Sequence, residues 1–299
     1  MSIGFVGLGR MGSGICQNLV AKSGERVVAF DLSPAALEAA VGAGAVAASS
    51  VAALAAESEV IFTSLPMPAD VEAVALGAEG IRDGAREGTV YFDLTTSAPA
   101  VTQRIAAELA AGGVTMLDAP VSGGPAGAEA GTLGVMVGGD EEVFERQLPL
   151  LRTFSANPIH VGELGSGLVT KLVNNLIALC GVATAAEALM LGTAAGVDPK
   201  KLDAAIRASS GDSIAYRSLA DRALSGDYSA SFTLNLSYKD IHLALELADE
   251  LRVPTQMGNS MHNLQRMASG LGLGQSDPTS VVKVYETLAG RTVGEGPAA

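Results

Sequence analysis

With 299 residues, 48% of them hydrophobic, the chain is long enough to bury a sizeable core and to divide into two domains. Its formal charge of −13 argues against non-specific binding to nucleic acid or to an acidic membrane surface, while leaving room for a local basic pocket around an anionic substrate. Cys16 and Cys180 lie in apolar helical patterns rather than in a disulfide or CxxC framework, so a reduced, cytoplasmic protein is expected.

The opening MSIGFVGLGRMGSG lacks a basic n-region and passes at once into a glycine loop, so no secretory signal is read there. From 2 to 161, short β-branched runs alternate with amphipathic or alanine-rich segments, the pattern of a parallel sheet with crossover helices. Strands are expected at 3–6, 26–30, 60–64, 89–92, 114–117, 133–137 and 159–161. Beyond Gly165 the pattern turns helical, at 168–195, 199–209, 214–225, 234–251, 256–269 and 279–289, with turn signals such as GVDP and SGD between. The expected domains are therefore 1–162 and 163–290, followed by a frayed, flexible tail at 291–299. The stretch 176–195 is apolar enough to mimic a membrane span, but Glu187 interrupts it and no basic flank follows. It reads as a buried helix at a domain or subunit core, and its length suggests a homodimer or homotetramer interface.

The first strand runs into Gly7-Leu8-Gly9-Arg10-Met11-Gly12, and a helix is expected from Ser13. In a dinucleotide-binding βαβ unit the first glycine makes a tight turn, the second admits the pyrophosphate close to the backbone, and the third lets helix and strand pack closely. The helix N-terminus adds amide donors and partial positive charge for the phosphates. A second strand ends in Asp31, 19 residues beyond Gly12, where a carboxylate can accept from the ribose hydroxyls and repel a 2′-phosphate. Leu32 and Ser33 follow, with no adjacent arginine, so NAD is preferred over NADP. Asp31 could instead cap the next helix, a place that Ser33 before Pro34 can also fill. Two more loops follow strand C-termini, Ser64-Leu65-Pro66 and Asp93-Leu94-Thr95-Thr96. An open α/β sheet binds its ligand there, which marks Leu65, Pro66 and Thr96 as lining the ribose and nicotinamide.

A third such loop reads Asp118-Ala119-Pro120-Val121-Ser122-Gly123-Gly124. Ser122 with Gly123 and Gly124 can turn successive N–H groups toward a carboxylate, or can be a plain turn. At the domain junction, Lys171 and Asn175 share one helical face among Leu172, Val173, Leu176 and Ile177. Lys171 is either a snorkelling surface lysine or a general acid/base whose pKa is lowered by partial burial and the helix N-terminus. His160, His242 and His262 are scattered without metal-ligand spacing, so no metal is expected.

Taken together, GLGRMG, DAPVSGG, the GxGxxxKxxxN junction and Lys239-Asp240 resemble the β-hydroxyacid dehydrogenase family, with the motifs in family order over 4–248. The family includes 3-hydroxyisobutyrate dehydrogenase, tartronate semialdehyde reductase and 2-(hydroxymethyl)glutarate dehydrogenase. The resemblance implies an α/β Rossmann domain followed by an all-α domain like the C-terminal domain of 6-phosphogluconate dehydrogenase. It further implies that Lys171 is catalytic, that Ser122, Gly123, Gly124 and Asn175 hold a small carboxylate substrate, and that Lys239 lies at the cofactor and substrate cleft. Without the family, Lys239 could equally be a solvated charge paired with Asp240 or Glu246. The chain departs from the pattern at Asp212, where arginine is frequent, and at Ser213 and Ile214, where many 3-hydroxyisobutyrate enzymes have an aromatic residue. TSLP, GAEAGTL and the GLG…VVKVYETLAG ending look most like the tartronate semialdehyde and hydroxymethylglutarate branches. The expected reaction is interconversion of a 3-hydroxy carboxylate and its semialdehyde. The alternatives are a short-chain semialdehyde or imine reductase on the same scaffold, or a non-catalytic NAD-binding regulator.

Overall fold

The computed structural model describes residues 1–294. Two compact units divide between Lys171 and Leu172. The strand pattern ends near 162, but the division comes later because the first turns of the next helix, Ser166–Ala194, are held by the first unit.

The first unit carries nine strands: β1 (Ser2–Val6), β2 (Arg26–Phe30), β3 (Val46–Ala47), β4 (Val60–Thr63), β5 (Val90–Asp93), β6 (Thr115–Asp118), β7 (Val121–Ser122), β8 (Leu133–Gly138) and β9 (Ser155–Gly162). Their order, 3-2-1-4-5-6, is parallel throughout and is the doubly wound order of dinucleotide-binding sheets. The parallel sheet expected from the sequence is present, with one antiparallel strand added at its far edge, where β8 runs against β6 and β7. After β6 the chain runs on along β8, pairing Val121 with Val135 and Ser122 with Gly134, turns back through the helix Gly124–Ala130 into β8, and β9 then adds parallel to β8.

Strands β1, β4, β5 and β6 are buried nearly end to end, as a sheet covered on both faces requires. On one face Phe62 stacks on Phe92 at 5.3 Å between ring centres and meets Phe154 edge-on at 5.8 Å. The other face packs Ile61, Tyr91 and Met116 on Leu54, Val71 and Ile105. Each such ring contributes about 2–3 kcal/mol by leaving water.

The second unit is helical: Pro199–Arg207, Ile214–Ser225, Leu234–Glu250, Gln256–Gly270 and Val282–Ala289 pack with the remainder of Ser166–Ala194. Leu179, Val182, Ala186 and Leu189 form the buried stripe of that long helix, against Leu219, Ile241 and Met261. By length and composition the helix could cross a membrane. The last helix begins at Val282, after a 3₁₀ turn over Pro278–Val281 that Asp277 caps. The expected frayed tail needs correction at its start. Arg291 Nη1 donates to Thr193 O at 3.0 Å and Val293 is fully buried. The rest of the tail, from 295 on, lies outside the described residues.

Candidate active site

The three glycines of the first loop differ in what surrounds them. Gly7 adopts φ +94° and donates its N–H to Phe30 O at 3.0 Å, and a Cβ there would lie 2.4 Å from Ser64 O. A Cβ on Gly12 would meet Gly7 O at 1.8 Å, so the helix Gly12–Lys22 can start this close to the strand only with glycine. Gly9, by contrast, has open space to 4 Å. The helix begins with no side-chain cap from Met11 and no acidic residue in its first turn, which keeps its positive end available for phosphate. Leu8 is buried, Met11 half-buried and Arg10 exposed. These features fit a pyrophosphate.

Asp31 faces this loop. Its Oδ2 accepts from Leu8 N at 2.6 Å and its Oδ1 from Ser33 N at 2.7 Å. Capping of the next helix, Pro34–Gly42, falls to Ser33, whose Oγ accepts from Ala36 N. The carboxylate is thus tied to the glycine loop instead.

The loops after β4 and β5 form one hydrogen-bonded unit. Leu65 N donates to Thr95 Oγ1 at 3.0 Å, Thr95 N to Asp93 Oδ1 at 3.1 Å, and Thr63 Oγ1 to the same Oδ1 at 2.7 Å. Burial pushes the Asp93 carboxyl from its ordinary 3.8 up to about 6, against the pull of those bonds. Leu65 and Thr96 are half-buried at this edge and Pro66 is exposed.

After β6, Ser122 lies within β7 rather than in a plain turn. Gly123 (φ +131°) and Gly124 (φ +64°) then swing the chain into the helix Gly124–Ala130, conformations that side chains resist. Sequence reading missed what fixes this helix. A Cβ on Gly14 would sit 2.8 Å from Glu129 N, and buried Asn18 donates to Ala128 O at 2.7 Å and to Glu129 O at 3.2 Å.

Lys171, 8% exposed, is buried, which removes the surface-lysine alternative. Asn175, one turn further along the helix, is also buried and donates to Asp240 Oδ2 at 2.6 Å. Lys239 Nζ stands 3.4 Å from the other oxygen of Asp240, with its side chain 11% exposed, so it is not a solvated helical charge. Glu246 pairs with His242 instead. Asp212 is engaged by Arg217, whose Nε donates to Oδ1 at 2.7 Å and whose Nη2 bonds Oδ2. Arg217 holds that carboxyl below its usual range. Among the described residues no group of three or more His, Cys, Asp or Glu is placed to hold a metal.

The family model for the NAD binding domain of 6-phosphogluconate dehydrogenase matches residues 2–195, and the one for the NAD-binding of NADP-dependent 3-hydroxyisobutyrate dehydrogenase matches residues 165–285. The chain is 41% identical over 297 residues to 2-(hydroxymethyl)glutarate dehydrogenase of Eubacterium barkeri, covering 99% of this chain and 98% of that protein. It is 37% identical to the NAD-dependent L-serine dehydrogenase of Pseudomonas aeruginosa, covering 97% of this chain and 99% of the relative. The crystal structure of 3-hydroxyisobutyrate dehydrogenase from Salmonella typhimurium superposes with a TM-score of 0.86 at 30% identity, covering 95% of this chain and 99% of that one. These matches span both units, and the chain belongs to the β-hydroxyacid dehydrogenase family, oxidoreductases of small hydroxy acids and their semialdehydes that use a nicotinamide cofactor.

Proposed function

We propose that this enzyme oxidises a small 3-hydroxy carboxylate to its semialdehyde, reversibly, with NAD favoured over NADP. The observation that carries the reading is a buried lysine, Lys171, one helical turn from a buried, hydrogen-bonded Asn175. An amine removed from water has a reason to be there when it exchanges protons with a substrate hydroxyl. Lys171 Nζ takes that proton during oxidation and returns it to the aldehyde oxygen during reduction. Ser122, Gly123 and Gly124 hold the carboxylate, and Asn175 orients the carboxylate or the hydroxyl. Bound nicotinamide supplies the hydride acceptor or donor. Gly7, Leu8, Gly9, Arg10, Met11 and Gly12 cradle the pyrophosphate, Asp31 accepts from the ribose, and Leu65, Pro66, Thr96 and Lys239 line the remainder.

Support for NAD comes from the Asp31 carboxylate beside the glycine loop and from the lack of an arginine next to it; Leu32 there is 90% exposed. Support for a substrate of the hydroxymethylglutarate kind comes from the 41% identical relative, and the TSLP and GAEAGTL runs leave tartronate semialdehyde as the other candidate. The net charge of −13 disfavours nucleic acid and acidic membranes as partners. Val173, Ile177 and Leu191, apolar and exposed on the long helix, favour a homodimer or homotetramer in which this helix is covered, and the free thiols of Cys16 and Cys180 favour a reducing, cytoplasmic setting.

The test is Lys171→Met, read by NADH absorbance with 3-hydroxyisobutyrate, tartronate semialdehyde, 4-hydroxybutyrate and hydroxymethylglutarate. The variant is expected to lose about a hundredfold or more in kcat while binding NADH nearly as the wild type does. Wild-type turnover by that variant refutes the role of Lys171.

A further inference from the structure

The loop after β6 begins with a carboxylate to which the mechanism assigns no part. Asp118 is almost wholly buried, and both its oxygens are engaged by the start of the helix Ser166–Ala194: Oδ1 accepts from Gly165 N and Oδ2 from Leu168 N, each at 2.6 Å. Burial pushes this carboxyl up, and the backbone N–H groups at the helix start pull the other way by favouring the anion. The surroundings are cut to fit. A Cβ on Gly138 would lie 2.5 Å from Oδ1 and 2.8 Å from Gly167 N, and one on Gly167 would lie 2.7 Å from Oδ2 and 2.3 Å from Met136 O. Two glycines therefore let helix, strand and carboxylate come together where any side chain would force them apart.

From this geometry we infer that Asp118 is a positioning residue for proton transfer: it fixes the first turn of the helix and so sets where the amine of Lys171 stands. The inference rests on the proposed role of Lys171. The helix's first N–H groups have no partners within the helix, and Asp118 supplies them from a strand 47 residues earlier in the chain. Lys171 is the residue after the next two along from Leu168, so about 4.5 Å of helical rise separates it from an anchored N–H. An error in that anchor passes to the lysine through rigid helix. Misplacing a reacting group by about 1 Å can cost on the order of a hundredfold in rate.

The test is a double-mutant cycle on Asp118→Asn and Lys171→Met, with kcat, substrate KM and NADH Kd measured for each. Asparagine keeps the shape but presents an amide donor to backbone donors. The expected result for Asp118→Asn is a kcat lower by about ten- to a hundredfold with KM and Kd within about threefold of wild type, and a double variant no slower than Lys171→Met alone. A residue that merely stabilises the fold would lower kcat by the same factor in both backgrounds. Such additivity, or wild-type kcat in Asp118→Asn while Lys171→Met is inactive, overturns this inference alone. Wild-type kcat in Lys171→Met overturns the reading of Lys171 and this inference with it. If Asp118→Asn does not accumulate as folded protein, Gly138→Ala makes the same test by pressing a methyl on Oδ1. Lost kcat with KM and Kd retained supports the anchor, and wild-type kcat overturns it.

Discussion

Asp93 makes a prediction that depends on neither cofactor nor substrate. Its carboxyl is fully buried at the end of β5, and its Oδ1 takes the bonds from Thr63 and Thr95. Among the described residues Oδ2 has no hydrogen-bond partner. Burial, with a smaller push from Asp118 on the neighbouring strand, raises the folded-state pKa from 3.8 to about 6. Below 3.8 both folded and unfolded chains carry the proton, and the group has no pH-dependent effect. As pH rises from there, the unfolded chain ionises first and gains stability relative to the folded one. The loss is complete above about 6. A shift of roughly two units at 1.36 kcal/mol each makes the fall about 3 kcal/mol, a large share of a domain's typical 5–15 kcal/mol. Urea unfolding of wild type and Asp93→Asn, at intervals from pH 4 to 7, should show this fall in the wild type as an excess over the variant. Asparagine can still accept from Thr63 and Thr95 but cannot ionise, so subtracting its curve removes most of the pH dependence of the other acidic residues. Parallel curves would refute the argument and mean that water or local opening relieves the buried charge.

Further outcomes follow from the cofactor loop. Replacing Asp31 by Ser together with Leu32→Arg removes the repulsion of a 2′-phosphate and supplies a cation. The ratio of kcat/KM for NADP over NAD should rise at least about tenfold, and an unchanged ratio would remove Asp31 from cofactor choice. Gly12→Ala puts a methyl 1.8 Å from Gly7 O and should abolish NADH binding in a fluorescence titration, whereas Gly9→Ala meets no protein atom within 4 Å. The latter should fold with wild-type thermal stability and still weaken NADH, because the ligand needs the space. Equal NADH affinity in Gly9→Ala and wild type would contradict the close approach assigned to that glycine.

The βαβ unit was legible in the sequence because every part of it is local. Strand, glycine loop, helix and terminal Asp31 lie in one continuous stretch whose alternation of patterns follows the backbone. Helix ends in the second unit were nearly as clear, with Ile214–Ser225 bracketed by Ser213 and Gly226, a side-chain cap and a left-handed stop. Strands β3 and β7 were not legible, since two residues have no period. The antiparallel turn at β8 was missed because its direction is set by pairing, not by composition. The sequence could not show the long-range partners of the Asp118 and Asp240 carboxylates, which lie 47 and 65 residues away in the chain. Asp212 looked discordant from sequence, and Arg217 accounts for it by a pairing within one helical turn of the helix start.

The tie that Asn18 makes between the helices Gly12–Lys22 and Gly124–Ala130 bears on which molecules can react. One helix opens at the proposed pyrophosphate cradle and the other at the proposed carboxylate loop, and Gly14 lets the two touch backbone to backbone. Locked together, they act as a gauge. If the two loops grip pyrophosphate and carboxylate as proposed, the span between the grips is fixed, and the count of bonds between a substrate's carboxylate and its reacting carbon is selected by length as well as by chemistry. On that reading a hydroxyl one carbon nearer would present the wrong atom, and variety among substrates would be left to whatever hangs from the carbon in between.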